Sequence, residues 1–72
     1  MANKRNATEK DIEFVAIRTG QLLVVMHTIK AIEVAQRAEV ISKEYADAVL
    51  EVLKEKAEKI DSEINKLSEE IL

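Results

Sequence analysis

The chain has 72 residues, of which 47% are hydrophobic and 35% charged, with one glycine and neither proline nor cysteine. This composition favours one small all-α domain, and the lack of cysteine excludes a disulfide framework, a thiolate metal site and cysteine-based catalysis. A chain this short buries only about 60% of its unfolded surface and is marginal as a monomer. Without a covalent or metal staple, we expect it to form a homo-oligomer.

The net charge of -3 is unevenly distributed, because residues 1–37 carry six basic and four acidic residues whereas residues 38–72 carry five and ten. The longest uninterrupted apolar run, residues 22–26, is far shorter than the roughly 20 residues that cross a bilayer. The N-terminus also lacks the apolar region and cleavage site of a secretory signal. We therefore predict a cytoplasmic protein that does not cross a membrane.

The first predicted helix covers residues 9–39 and follows a basic arm, residues 1–8, which we expect to be flexible. Thr8 is suited to cap this helix, and Asp11 stands where a capping box places its acidic residue. Gly20 is the one internal residue that strongly disfavours a helix, by roughly 1 kcal/mol relative to alanine. One uninterrupted helix is the preferred interpretation, and the alternative is a break at Gly20 acting as a C-cap.

The second predicted helix covers residues 43–71 and follows a short connection at residues 40–42. Ser42 is a suitable N-cap, and the residues after it are almost all strong helix formers. Two long helices joined by so short a connection favour an antiparallel hairpin. Because the connection contains neither glycine nor proline, a single continuous rod is the alternative topology.

The second helix carries a coiled-coil seam, because its apolar residues are separated alternately by four and three positions. The first helix is apolar on all sides between Gly20 and Ala38, and one of its faces is a narrow stripe of mostly small residues. A hairpin offers this helix only one neighbour, so its second face requires another chain. We therefore predict a dimeric four-helix bundle with coiled-coil-like packing. Its predicted interface comprises Gly20, Val24, Ala31, Ala35, Ala38, Leu53, Ile60, Ile64, Leu67 and Ile71.

Two stretches of the second helix depart from a simple seam. Near its start, Tyr45, Val49 and Val52 widen the apolar stripe on one side, so we expect this half to be buried more broadly. Near its end, Ile64 and Ile71 have only the weakly apolar start of the first helix opposite them in a hairpin. We expect thin cover at that end.

Few residues have the neighbours that metal binding requires. His27 has Leu23 and Ala31 one turn away, so it lacks a second metal ligand on its face, and we interpret it as a partly buried histidine. Four carboxylates of the second helix form a row that could hold a cation, but lysines interleave with them and the facing helix supplies few ligands. We interpret this row as a solvated, salt-bridged face. It comprises Glu51, Glu55, Glu58 and Asp61.

Two functional hypotheses follow from these patterns. The preferred one is a non-enzymatic adaptor or assembly module that needs no cofactor and binds a second copy of itself or another helical protein. The alternative is a small nucleic-acid-binding regulator of plasmid, phage or viral type, in which a dimer pairs two basic arms. Nucleic acid is the less favoured partner, because the arm lacks aromatic residues for stacking. Its candidate phosphate contacts are Lys4, Arg5, Lys10 and Arg18.

Overall fold

The structure is a computed structural model that describes residues 4–71, and its two helices form an antiparallel hairpin. Helix α1 spans Glu9–Arg37 and helix α2 spans Lys43–Glu70. The predicted all-α class and hairpin are confirmed, and the continuous rod is wrong. Residues 1–3 of the predicted arm, and Leu72, lie outside the described residues.

Helix α1 is uninterrupted and runs through Gly20, so the preferred interpretation is confirmed and the alternative of a break at this residue is wrong. Its start is fixed by the predicted capping box. The Asp11 backbone N–H donates to the Thr8 hydroxyl at 3.3 Å, and the Thr8 N–H donates to the Asp11 carboxylate at 2.8 Å. These bonds satisfy donors that would otherwise be unpaired at the helix start. Packing of the apolar inner face along α2 offsets the helical cost of one glycine.

The turn after α1 is a Schellman motif, and it ends the helix at Arg37, two residues before the predicted boundary. Glu39 adopts the left-handed conformation, with φ 61°. Its N–H donates to the carbonyl of Gln36 at 3.0 Å. The next N–H, of Val40, donates to the carbonyl of Ala35 at 2.9 Å. A residue other than glycine therefore reverses the chain.

Helix α2 begins as predicted, because the Ser42 hydroxyl accepts a hydrogen bond from the Tyr45 N–H at 3.1 Å. It ends at Glu70, one residue before the predicted boundary, since Ile71 has an extended backbone. Ile71 instead forms an isolated β-bridge with Arg5. The C-terminus of α2 is thus joined to the segment that precedes α1.

The N-terminal arm contacts both helices over its described part, residues 4–8, and its flexibility stays a prediction. The Arg5 N–H donates to the Glu70 carbonyl at 3.1 Å, which satisfies an acceptor that the end of α2 leaves free. The Arg5 guanidinium forms a two-point ion pair with Asp11 and lies 3.7 Å from the Glu70 carboxylate. The bonds from Arg5 and Thr8 hold the pKa of Asp11 well below its usual range.

The hairpin is one layer of two helices, with extents of 51 × 23 × 12 Å. Within residues 4–71, the buried hydrophobic side chains are Val25, Ala46 and Ile60, with exposed fractions of 7%, 1% and 4%. Single-layer packing gives a line of contact between helices, whereas a domain core normally lies between two layers. Both flat sides of the hairpin therefore face outward.

An ion pair between Arg18 of α1 and Glu63 of α2 marks the register of the hairpin, with 2.9 Å between the guanidinium and the carboxylate. At the end far from the turn, Ile71 lies beside Ile12 and Val15. Ile64 and Ile71 are half-buried, as are most residues along the contact, so thin cover at this end stays a prediction. Other half-buried residues along the contact are Phe14, Leu22, Ile29, Ile32, Val49, Leu50, Leu53, Ala57 and Leu67.

Candidate interaction surface

Most of the large apolar side chains left exposed by the hairpin belong to α1. Within α1 only Val25 is buried. Apolar surface exposed in large contiguous patches is rare on soluble monomers and marks interaction sites. The exposed large apolar residues are Ile12, Ile17, Leu23, Val24, Met26 and Val34 of α1, Val40 in the turn, and Tyr45 and Val52 of α2.

One flat side of the hairpin, the groove face, contains a groove between the two helices. The groove has an apolar floor, the α1 backbone at Gly20 on one side and two lysines on the other. Helical periodicity places Ile17, Thr28 and Ala31 on this side of α1, and Tyr45 and Val52 on this side of α2. The groove itself is lined by Arg18, Gly20, Gln21, Val24, Val25, Lys56, Lys59, Ile60 and Glu63.

The groove face carries a row of residues at heptad spacing on each helix; the α2 row is apolar in its first three members and charged in its last three, and the α1 row combines apolar and polar residues. In α1 the pattern runs through residues 17, 21, 24, 28, 31 and 35, and in α2 through residues 45, 49, 52, 56, 59 and 63. The broad burial expected for the first half of α2 is not found in the single chain, because Tyr45 is 58% exposed and Val52 64% exposed. A single α1 helix is too narrow to cover both patterns of α2.

The opposite flat side, the acidic face, has a shallow groove lined by Leu22, Met26, Ala57, Glu58 and Asp61. The last two members of the predicted carboxylate row, Glu58 and Asp61, line this groove, and the whole row is exposed. The predicted salt bridges within this row are absent, since the three ion pairs among residues 4–71 all involve arginine. Residues 4–71 also contain no group of three or more histidine and carboxylate side chains placed to hold a metal ion.

The edge of α1 that points away from α2 carries exposed Ile12, Leu23 and Val34 together with His27. The prediction that His27 is partly buried is wrong for the single chain. This residue lies on the side of α1 farthest from α2, so it takes no part in the contact between helices.

The predicted interface residues separate into two sets. Gly20, Val24 and Ala31 are exposed on the groove face, and a Cβ atom added at Gly20 would meet no other atom within 4 Å. Ala35 is half-buried, and Ala38 is exposed in the turn as the C-cap. The residues from α2 contact α1 of the same chain, and their role between chains stays a prediction. Ile60 is buried, while the half-buried members are Leu53, Ile64, Leu67 and Ile71.

The four candidate nucleic-acid contacts do not form one free basic patch. Arg5 is paired with two carboxylates of the same chain, and its pKa is raised chiefly by the hydrogen bond to Asp11. Arg18 is paired with Glu63 and lies over the ring of Phe14, 5.2 Å from its centre. The other two, Lys4 and Lys10, are exposed. Phosphate would have to replace carboxylate partners at both arginines.

Helix α1 is long and apolar enough to cross a membrane, because it contains an 18-residue stretch with high mean hydropathy and no more than two charged residues. Almost none of that stretch is buried in the hairpin. Core helices of soluble proteins and signal sequences share these properties. The length of the longest uninterrupted apolar run does not reveal this stretch, because polar residues such as His27 and Thr28 interrupt it. That the chain does not cross a membrane stays a prediction.

Comparison with protein-family models, with curated proteins and with solved structures gives no match for this chain. A function for the chain is therefore argued from its own exposed surface.

Proposed function

We propose that the chain is a non-enzymatic assembly module that pairs with a second copy of itself to form a dimeric four-helix bundle. The exposed apolar residues of α1 would form the main part of the interface. This proposal accounts for a helix that is apolar on all sides but has a neighbour on only one of them.

The main observation in support of this proposal is the large solvent-accessible surface area of the chain. It amounts to 5825 Å², whereas a compact monomer of 8.1 kDa is expected to expose about 4,500 Å². The excess of about 1,300 Å² exceeds the roughly 800 Å² that each partner buries in a standard stable interface. A second layer of helices would cover this excess and enclose a core between the layers.

Two other ways of covering α1 have less support. As a membrane span, α1 would place Arg18 within its apolar stretch, and charged residues are expensive in the bilayer interior. As the body of a nucleic-acid binder, the chain would need its arginines free, but Arg5 and Arg18 pair with carboxylates. Neither alternative explains why exposed apolar residues of both helices, such as Val24 and Val52, lie on the same face.

Sedimentation equilibrium of the purified chain tests the proposal. At micromolar concentration and without lipid or nucleic acid, we expect a mass of twice 8.1 kDa. A helical monomer of 8.1 kDa at this concentration would contradict self-association. The variants Val24→Glu and Met26→Glu form a matched pair for the same measurement, because both residues are exposed but lie on opposite flat sides of the hairpin.

A further inference from the structure

We infer that the two hairpins stack groove face to groove face, with α1 of each chain lying antiparallel over α2 of the other. This inference rests on the self-association proposed above. It adds the surface that is buried and the residues that meet across it.

The distribution of apolar residues and charge selects the groove face. Ile17, Val24, Tyr45 and Val52 are exposed on this side, whereas Met26 is the exposed large apolar residue on the acidic face. Stacking two acidic faces would bring Glu58 and Asp61 of both chains into one contact, where like charges repel, whereas Glu63 beside the groove is paired with Arg18. The charged groups beside the groove include lysines, whose long aliphatic stems can pack while the ammonium groups stay in water.

The position of the lysines selects the pairing of helices. If α2 lay over α2 of the second copy, Lys56 and Lys59 of both chains would lie along the same helix contact. If α1 lies over α2, the two lysine pairs are on diagonally opposite rims of the bundle. Their stems then cover the open α1 surface at Gly20 and Val24 of the other chain, where the single chain leaves the Gly20 backbone uncovered.

Residue size supports the same pairing. Within one chain, Val24 lies across the groove from Lys56, so facing positions have residue numbers that add to about 80. A two-fold axis parallel to the long axis of the bundle leaves each residue at the same position along that axis, so the same count gives the facing residues between the two chains. Small residues of α1 then meet large residues of α2 in the second copy, which is how close-packed layers interdigitate. The pairs are Thr28 with Val52, Ala31 with Val49, and Ala35 with Tyr45.

Thr28 can be buried in this contact at low cost. Its hydroxyl donates to the Val24 carbonyl at 2.8 Å, so its donor is already satisfied inside the helix. The methyl group remains available to pack against Val52 of the second copy.

Disulfide cross-linking tests the arrangement, and the absence of native cysteine makes the result simple to interpret. Thr28→Cys and Val52→Cys chains, one of them carrying a mass tag, are unfolded together in reductant, refolded and then oxidised. A disulfide forms only if the two Cβ atoms approach to about 3.5–4.5 Å. We expect linked dimers that contain one chain of each kind, and no linked dimer from either variant alone.

Met26→Cys mixed with Lys54→Cys, which are facing positions on the acidic face by the same count, is the matched control and should give no link between chains. Linkage of Thr28→Cys to itself would overturn the inference in favour of α1 over α1. Linkage through the pair on the acidic face would overturn the choice of face.

Sedimentation of each variant in reductant separates this inference from the proposal on which it rests. Variants that dimerise but do not cross-link refute the arrangement alone, whereas a wild-type monomer refutes self-association itself. If a substitution at Thr28 or Val52 prevents dimerisation, Ala31→Cys with Val49→Cys replaces that pair, and failure of both pairs to link in a wild-type dimer refutes the arrangement.

Discussion

Replacing Glu39 by glycine should stabilise the hairpin, because Glu39 holds the left-handed conformation that closes the turn. This conformation costs an L-residue roughly 1–2 kcal/mol, and glycine adopts it without that strain. Glycine loses more backbone entropy on folding, by about 0.5–1 kcal/mol. The net gain in unfolding free energy is therefore about 0.5–1 kcal/mol, or a rise in Tm of about 3–6 °C for a domain of this size.

Thermal unfolding followed by circular dichroism measures this effect, with Glu39→Ala as the matched control. Both substitutions remove a negative charge from the C-terminal end of α1, where the helix dipole disfavours it. The difference between the two variants therefore isolates the backbone conformation. A glycine variant no more stable than the alanine variant would refute the left-handed turn and, with it, the reason the chain forms a hairpin although its turn contains neither glycine nor proline.

Three further substitutions test other parts of the structure. Ile60→Ala removes a large side chain that is 4% exposed, and we expect urea unfolding to show a loss of about 2–5 kcal/mol; a change near zero would mean that the inner seam is not packed. Ala31→Leu changes an exposed site in the single chain but should overpack the dimer, lowering its stability by about 1–3 kcal/mol; unchanged stability and dimer mass would place Ala31 outside the interface. The pKa of Asp11 is lowered by folding, so the folded chain binds fewer protons and its stability should fall as the pH drops below about 4. Urea midpoints between neutral and acidic pH should fall less for Asp11→Asn, and parallel profiles would show that the contact with Arg5 is not formed in solution.

The helices and their caps were predictable because local patterns determine them. Thr8 and Ser42 each stand before a long run of helix formers, and each accepts the predicted hydrogen bond. The turn was less predictable, since Glu39 does not have the residue type that usually supplies a positive φ. The position of Arg5 depends on the end of α2, far away in sequence, which no local pattern reveals.

The candidate surface was only partly predictable from the sequence. The stripe through Gly20, Val24 and Ala31 was recognised because small residues recur at helical spacing. The exposure of Tyr45 and Val52 was not predictable, because periodicity gives the faces of a helix but not the number of neighbours that cover them. The number of neighbouring helices depends on the topology of the chain. In this hairpin each helix has one neighbour, which leaves the stripes of both helices exposed on the same side.

The dependence of Tm on protein concentration tests the central claim, that a second copy covers the exposed face of α1. If folding and dimerisation are coupled, about a hundredfold increase in concentration adds about 2.7 kcal/mol per mole of dimer. For two chains of 72 residues, this corresponds to a rise in Tm of about 9 °C. A Tm that stays constant over this range, with unfolding of the helices complete and reversible, would contradict the claim.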